Sequence, residues 1–329
     1  MYMDIDFVIL WVDGNDPEWR SQFRLASIAE NADASEIRYR DWHNLHYWFR
    51  AVERYAPWVR RIHFITWGHL PKWMNTTHPK LHVVNHPEFI PSEYLQTFNS
   101  NAIELNINRI DDLAEHFVLF NDDMFLTRPC RPEDFFRDGL PCDMARLSII
   151  STSSIGHLIY NNMQLINDRY IKRNVMRRHW RKWFSPCYGA GNIMKTLSLM
   201  PWNFFAGLTD THMPQPYLKS RFDEAWDIWG GRMRETCRHR IRNLSDVSHW
   251  LIRYDTLVRG DFVPRNMSDC RLMTISDYTM EDICRDIASQ RYRMVCINDS
   301  EDIADFEASC ERLRGAFDDI LPDKSAYEL

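Results

Sequence analysis

Hydrophobic residues in the first part of this chain fall into short unbroken runs that end on acidic or amide residues. Between the runs they recur every three or four positions. Residues 5 to 12, Ile-Asp-Phe-Val-Ile-Leu-Trp-Val, run into Asp13, Gly14, Asn15, Asp16 and Pro17. This predicts a buried strand breaking into a turn, with proline opening a helix, the first half of a βα unit. Leu45, Trp48, Phe49 and Val52 share the helical period and predict an amphipathic helix over residues 41 to 55. Strands are predicted at 62 to 67 and 81 to 85, and a helix capped by Asn99 or Ser100 reaching Ile110. Residues 117 to 125, Phe-Val-Leu-Phe-Asn-Asp-Asp-Met-Phe, predict another buried strand that delivers Asn121, Asp122 and Asp123 to its C-terminal end. The alternation predicts an α/β fold, a Rossmann-like, mostly parallel sheet flanked by helices. Asp13 then lies on the same sheet edge as Asp122, the edge where open α/β sheets bind ligands.

Beyond Asp143 helical patterns dominate: 155 to 174, running into a basic and aromatic stretch that ends at Phe184, and 245 to 258. A late strand is predicted at 294 to 298 and an acidic helix at 301 to 317. With no repeat and no low-complexity linker, residues 1–329 read as a single domain. Its parts are an α/β part (1–143), a mainly helical, basic part (144–260), and a C-terminal segment returning to the core (261–329).

Composition narrows the class. A 329-residue chain with 13 Trp, 13 Tyr, 18 Phe and only 11 Gly suits a folded enzyme or ligand-binding protein. A net charge of -6 provides no overall field for nucleic acid or membrane. The eight cysteines include no Cys-x-x-Cys, which speaks against a zinc ribbon. The N-terminus carries acidic residues where a signal peptide is basic, and no run approaches the roughly 18 apolar residues of a membrane helix. The expectation is a soluble cytoplasmic protein.

Adjacent carboxylates at a strand end suit a divalent metal bound to phosphate, although Asn121 and Asp122 capping a turn explain the same residues equally well. One glycine among several carboxylates after the first strand rules out a dinucleotide fingerprint. His78, His82 and His86 are spaced by four, but Pro79 and Pro87 break any continuous helix, so they read as ordinary loop and strand histidines. Arg173, Arg177, Arg178, Arg181 and Lys182, interleaved with Trp180 and Trp183, fit a polyanion or diphosphate grip, or a solvated helix face with its tryptophans docked on the core. His212, in a turn-rich segment beside Asp210, is a candidate proton carrier or a structural histidine.

Four stretches resemble a known family: residues 9 to 17; residues 97 to 104 with the run 117 to 125; His212, Met213 and Pro214 with Tyr217 and Lys219; and the closing Pro-x-Lys-Ser-x-Tyr-Glu. In this order they are similar to the conserved regions of the Stealth proteins. These are hexose-1-phosphate transferases of bacterial capsule synthesis, related to the catalytic core of the animal GlcNAc-1-phosphotransferase.

The resemblance implies attack of an acceptor hydroxyl on the β-phosphorus of a nucleotide sugar such as UDP-GlcNAc, forming a phosphodiester and releasing UMP. It implies a catalytic domain over 1–329, with the nucleotide sugar bound in 1–143 and the acceptor in 144–260, and donor contacts from Asp13, Gly14, Asn99 and Ser100. Lys219, in the third of these stretches, and Arg178, in the basic stretch, are further substrate-binding candidates. Mg2+ or Mn2+ would sit on Asp122 and Asp123, with Asn298 and Asp299 a further candidate metal site. His212 or Asp122 would act as the base, and Arg242 would neutralise phosphate charge; Ile241 stands where the family is expected to carry Phe. The implied partners are a nucleotide-sugar donor and an oligo- or polysaccharide acceptor, with no nucleic acid, and peripheral association with capsule assembly at the inner face of the membrane. The rival readings are a metal-dependent glycosyltransferase releasing UDP, and a non-enzymatic module binding acidic polymers or nucleic acid.

Overall fold

The computed structural model describes residues 3–30, 40–150 and 155–329. The chain opens with β1 (Ile5–Leu10), α1 (Pro17–Glu30), α2 (Leu45–Tyr55), β2 (Ile62–Thr66), β3 (Leu81–Asn85), α3 (His86–Phe89), α4 (Ser100–Leu105), β4 (His116–Phe120) and β5 (Met124–Leu126). The Asp16 carboxylate accepts the Trp19 N–H at 2.7 Å, capping α1, and Pro17 occupies its first position, where the missing N–H costs nothing. Asn99 caps α4 by accepting the Asn101 N–H at 3.1 Å. That helix is shorter than the pattern predicts, because residues 107 to 109 tighten into a 3-10 turn.

The middle of the chain contains β6 (Phe136–Arg137), β7 (Leu140–Asp143), α5 (Gly156–Arg169), α6 (Lys172–Arg178), α7 (Trp180–Trp183), α8 (Ala190–Ser198), β8 (Gln215–Leu218), α9 (Lys219–Arg238) and α10 (Trp250–Arg259). Gly260 ends α10 with φ +76°, and a Cβ there would meet the His179 ring at 2.3 Å, so only glycine fits. The last part holds β9 (Val263–Pro264), β10 (Cys270–Thr274), α11 (Met280–Ala288), β11 (Met294–Asn298) and α12 (Phe306–Asp318).

The main sheet has the order β3-β2-β1-β4-β8, parallel except for β8. Side chains alternate across it. Ile5, Phe7 and Ile9 of β1 with Val118 and Phe120 of β4 pack under α2 and α12, while Val8, Phe117 and Leu119 face the helices of the second half. This is the α/β architecture that the strand and helix alternation predicts, with a second half rich in helix. Two smaller sheets, β10-β11-β5 and β6-β7-β9, bring residues after 260 back against the first half. At the N-terminal edge of the main sheet, buried Asp6 is held by Arg60, by His63 at 2.9 Å and by the Ala114 N–H at 2.8 Å.

Candidate functional site

The C-terminal ends of β1 and β4 lie side by side, with Ile9 opposite Phe120, so the turns after them share one edge. After β1, Asp13 folds its carboxylate onto the Asn15 N–H at 2.9 Å, and the Gly14 carbonyl accepts from Arg20 Nε at 2.6 Å. After β4, residues 121 to 123 turn directly into β5, whose pairing with β11 is extended by the Ile297 N–H donating to the Asp123 carbonyl at 2.9 Å. The expected single run 117 to 125 is therefore two strands, and the Asp122 and Asp123 turn sits between the main sheet and the smaller one.

Asp122 is solvent-exposed at the turn. Desolvation by the surrounding protein, and then the charge of Asp123, raise its pKa above the ordinary carboxylate value. Asp123 is half-buried. Its Oδ2 lies 3.9 Å from His212 Nε2, and its Oδ1 is buried without a hydrogen-bond partner. Burial raises the Asp123 carboxyl, and the His212 ring opposes that rise. Cys296 of β11 completes a cluster in which one ligand atom from each of Asp123, His212 and Cys296 lies within 4.8 Å of the others. Burial, and then the nearby Asp123, push the Cys296 thiol well above its usual value, so it stays protonated.

His212 is held by an unusual piece of backbone. Its φ is +45°, its N–H donates to Asp210 Oδ1 at 3.1 Å, and its ring packs edge-on against Trp250 at 6.3 Å. The segment before it is pinned from below. Arg253, 1% exposed, grips Asp143 with a two-bond fork of 2.7 and 2.9 Å and donates its third bond to the Thr209 carbonyl at 3.0 Å. Gln215 Nε2 donates to the same Asp143 carboxylate at 3.1 Å.

Behind His212 lies a polar layer. The Tyr217 hydroxyl meets His249 Nδ1 at 2.6 Å, and His249 Nε2 lies 3.6 Å from Glu104. Burial, with the charges of His212 and Arg253 adding to it, holds the His249 pKa down to about 3, and burial pushes Glu104 up to about 7 against the pull of Arg242. Arg242 is itself exposed and donates to Ser100 Oγ at 2.7 Å, so it stands at the start of α4. Asn99 is fully buried, with its amide donating to Asp246 at 2.7 Å. The structure thus brings Asp122, Asp123 and His212 together, and links Arg242 to Ser100.

Of the other predicted residues, Asn298 accepts from the Cys296 thiol at 3.4 Å and so borders the cluster, and Asp299 is held by Arg40. Lys219 follows β8 at the opposite edge of the sheet, where its backbone N–H donates to Glu115, and Arg178 is exposed at the end of α6. Cys296, Arg253 and Asp143 have no local sequence signal for a role here, because only the crossing of distant segments makes them neighbours, whereas Asp210 meets the His212 N–H from two residues away.

Conserved region 1 of the Stealth proteins matches residues 3–27, conserved region 2 matches 38–142, and conserved region 3 matches 211–254. These matched regions contain Asp13, the Asp122–Asp123 turn and His212. The chain is 39% identical to a capsular polysaccharide phosphotransferase WcwK of Streptococcus pneumoniae, with 98% of each chain covered. It is 40% identical to the exopolysaccharide phosphotransferase cps2G of Lactiplantibacillus plantarum, over 99% of this chain and 96% of that relative. It is 37% identical to the receptor polysaccharide phosphotransferase WefC of Streptococcus gordonii over the full length of both. Among solved structures it is similar to the galactosyltransferase LgtC, at 12% identity and a TM-score of 0.39, with 96% of each chain covered.

Proposed function

The chain belongs to the Stealth protein family, and from that membership we infer that it is a polysaccharide phosphotransferase. We propose that it moves a hexose-1-phosphate from a nucleotide sugar, UDP-GlcNAc or a close analogue, to a sugar hydroxyl in the synthesis of a capsular or cell-surface polysaccharide. The observation that carries this reading is the approach of His212 Nε2 to Asp123 Oδ2, 3.9 Å apart, beside the exposed carboxylate of Asp122.

In this reading the acceptor hydroxyl gives its proton to the His212 imidazole as its oxygen bonds to the β-phosphorus of the donor. The bond from that phosphorus to the oxygen bridging it to the α-phosphate breaks, and UMP leaves. The φ of +45° and the packing on Trp250 fix the His212 ring, so the base is positioned before substrate arrives. Arg242 supplies positive charge to the phosphoryl oxygens from the start of α4. Asp13 and Gly14 lie in the turn beside the Asp122 turn, and in this reading they contact the nucleotide sugar.

The residues fit a hard dication. Asp123 Oδ1 is a buried carboxylate oxygen with no partner, and Asp122 is raised by desolvation and then by the neighbouring Asp123 charge, which a cation offsets. Asp122 and Asp123 would hold Mg2+ or Mn2+, which when bound neutralises charge on the diphosphate. Cys296, kept as a thiol, is not a ligand of that hard type. The proposal is tested by supplying a panel of nucleotide sugars, an acceptor glycan and Mg2+: nucleoside monophosphate release supports phosphoryl transfer, and diphosphate release supports glycosyl transfer instead.

A further inference from the structure

Within a chain of net charge -6, residues 169 to 209 contain eight Lys or Arg and no Asp or Glu. This segment forms α6, α7, α8 and the turn that follows them. Two of its cations serve the fold: Lys172 Nζ donates to the Leu199 and Trp202 carbonyls at 2.6 and 2.9 Å, and Lys182 Nζ to those of Gly260 and Phe262 at 2.7 Å. Arg173, Arg177, Arg178, Arg181 and Lys195 are exposed, and among the described residues none of them meets a carboxylate.

The same segment exposes large apolar side chains. Ile171, Trp180, Met194, Leu197, Trp202 and Phe204 are each at least 45% exposed. The sequence reading that docks both Trp180 and Trp183 on the core holds for Trp183 alone, which is fully buried, whereas Trp180 carries the Arg181 guanidinium over its ring at 5.4 Å. The fold gathers part of this apolar surface. Lys172 ties the start of α6 to the 199 to 202 turn, and Asn167 pairs with the Phe205 backbone at 2.8 and 3.0 Å. Ile171 and Arg173 are therefore tied to the stretch that displays Trp202 and Phe204. Half-exposed tryptophan and phenylalanine among uncompensated cations is the composition of a surface that seats at a bilayer interface, where rings enter the headgroup layer and cations meet anionic lipid. No described helix is long and apolar enough to cross a membrane, so such a contact is peripheral.

We propose that α6, α7, α8 and the 199 to 204 turn form a docking surface for an anionic phospholipid bilayer. The inference rests on charge and exposure in this segment and not on the reading of the candidate active site. The test is co-sedimentation of the full chain with phosphatidylcholine vesicles, with and without about one-third phosphatidylglycerol, at low and high salt.

The expected result is binding only to the anionic vesicles, weakened by salt. R173E/R177E should reduce it by about tenfold or more, and W202A/F204A should reduce it independently. These positions are exposed, and circular dichroism checks that the variants fold. No anionic-vesicle binding, or binding unaltered by both variants, overturns the proposal. Binding to duplex DNA at the same salt that matches vesicle binding and ignores W202A/F204A also overturns it, and assigns the surface to a polyanion.

Discussion

Asp123 and His212 face each other at 3.9 Å although one follows β4 and the other precedes β8 in a different part of the chain. The pairing of β5 with β11 fixes the first residue, and the Arg253 fork beneath Thr209 fixes the segment leading to the second. If His212 takes the acceptor proton, His212→Ala should lower turnover by about 100- to 10,000-fold with an unchanged circular dichroism spectrum. Asp122→Asn should be comparably inactive. Wild-type turnover in either variant refutes the assignment.

Arg253 is a positioning residue rather than a group that meets substrate. Removing one member of a buried pair leaves the other charge stranded, so Arg253→Met should destabilise the protein by about 3–5 kcal/mol in urea denaturation. R253M/D143L, which removes both charges, should recover much of that stability while kcat stays low, because the support under Thr209 is still missing. Full recovery of kcat in the double variant would show that this support is not needed.

The strands were legible where apolar runs end abruptly. β3 and β11 match their predicted limits, and β1 stops two residues short of its apolar run. Helix starts were less legible. α10 begins at Trp250 rather than Ser245, because residues 245 to 248 give their polar groups to other partners: the Asp246 carboxylate accepts from Asn99 and Asn243, and Ser248 pairs with Asn162. α12 waits for Asp305, whose carboxylate accepts the Ala308 N–H at 3.0 Å. In the candidate site, the Asp122 and Asp123 turn was visible as a strand end. The Asp143–Arg253 fork and the place of Cys296 were not, because each depends on tertiary crossing alone.

Stability should fall in acid for a reason that can be traced to two buried groups. Burial holds His86 down to about 4, with the charge of His69 adding to this, so the unfolded state binds more protons below its ordinary value near 6.5. The contribution of His86 is thus present above about pH 6.5 and is lost as pH falls toward 4. Asp6 is lowered by its bonds to His63 and Arg60 in spite of burial, so its contribution is lost later, as pH falls below the ordinary carboxylate value. His86→Leu should flatten the urea midpoint between pH 6.5 and 4. An unchanged slope would remove His86 from the account.

A bound dication should depend on the two carboxylates of the turn. Mn2+ binding, followed by its electron paramagnetic resonance signal, should weaken by about tenfold or more in Asp123→Asn, and chelation should abolish turnover until Mg2+ is returned. Cys296→Ser should leave Mn2+ affinity close to wild type, since the thiol is protonated. A large loss in that variant would place sulfur in the ligand set.

The central claim is the bond that breaks. Phosphorus-31 NMR of the protein with UDP-GlcNAc, an acceptor glycan and Mg2+ reads it directly. The account predicts UMP and a new phosphodiester resonance, both absent in His212→Ala; release of UDP with no phosphodiester would contradict it.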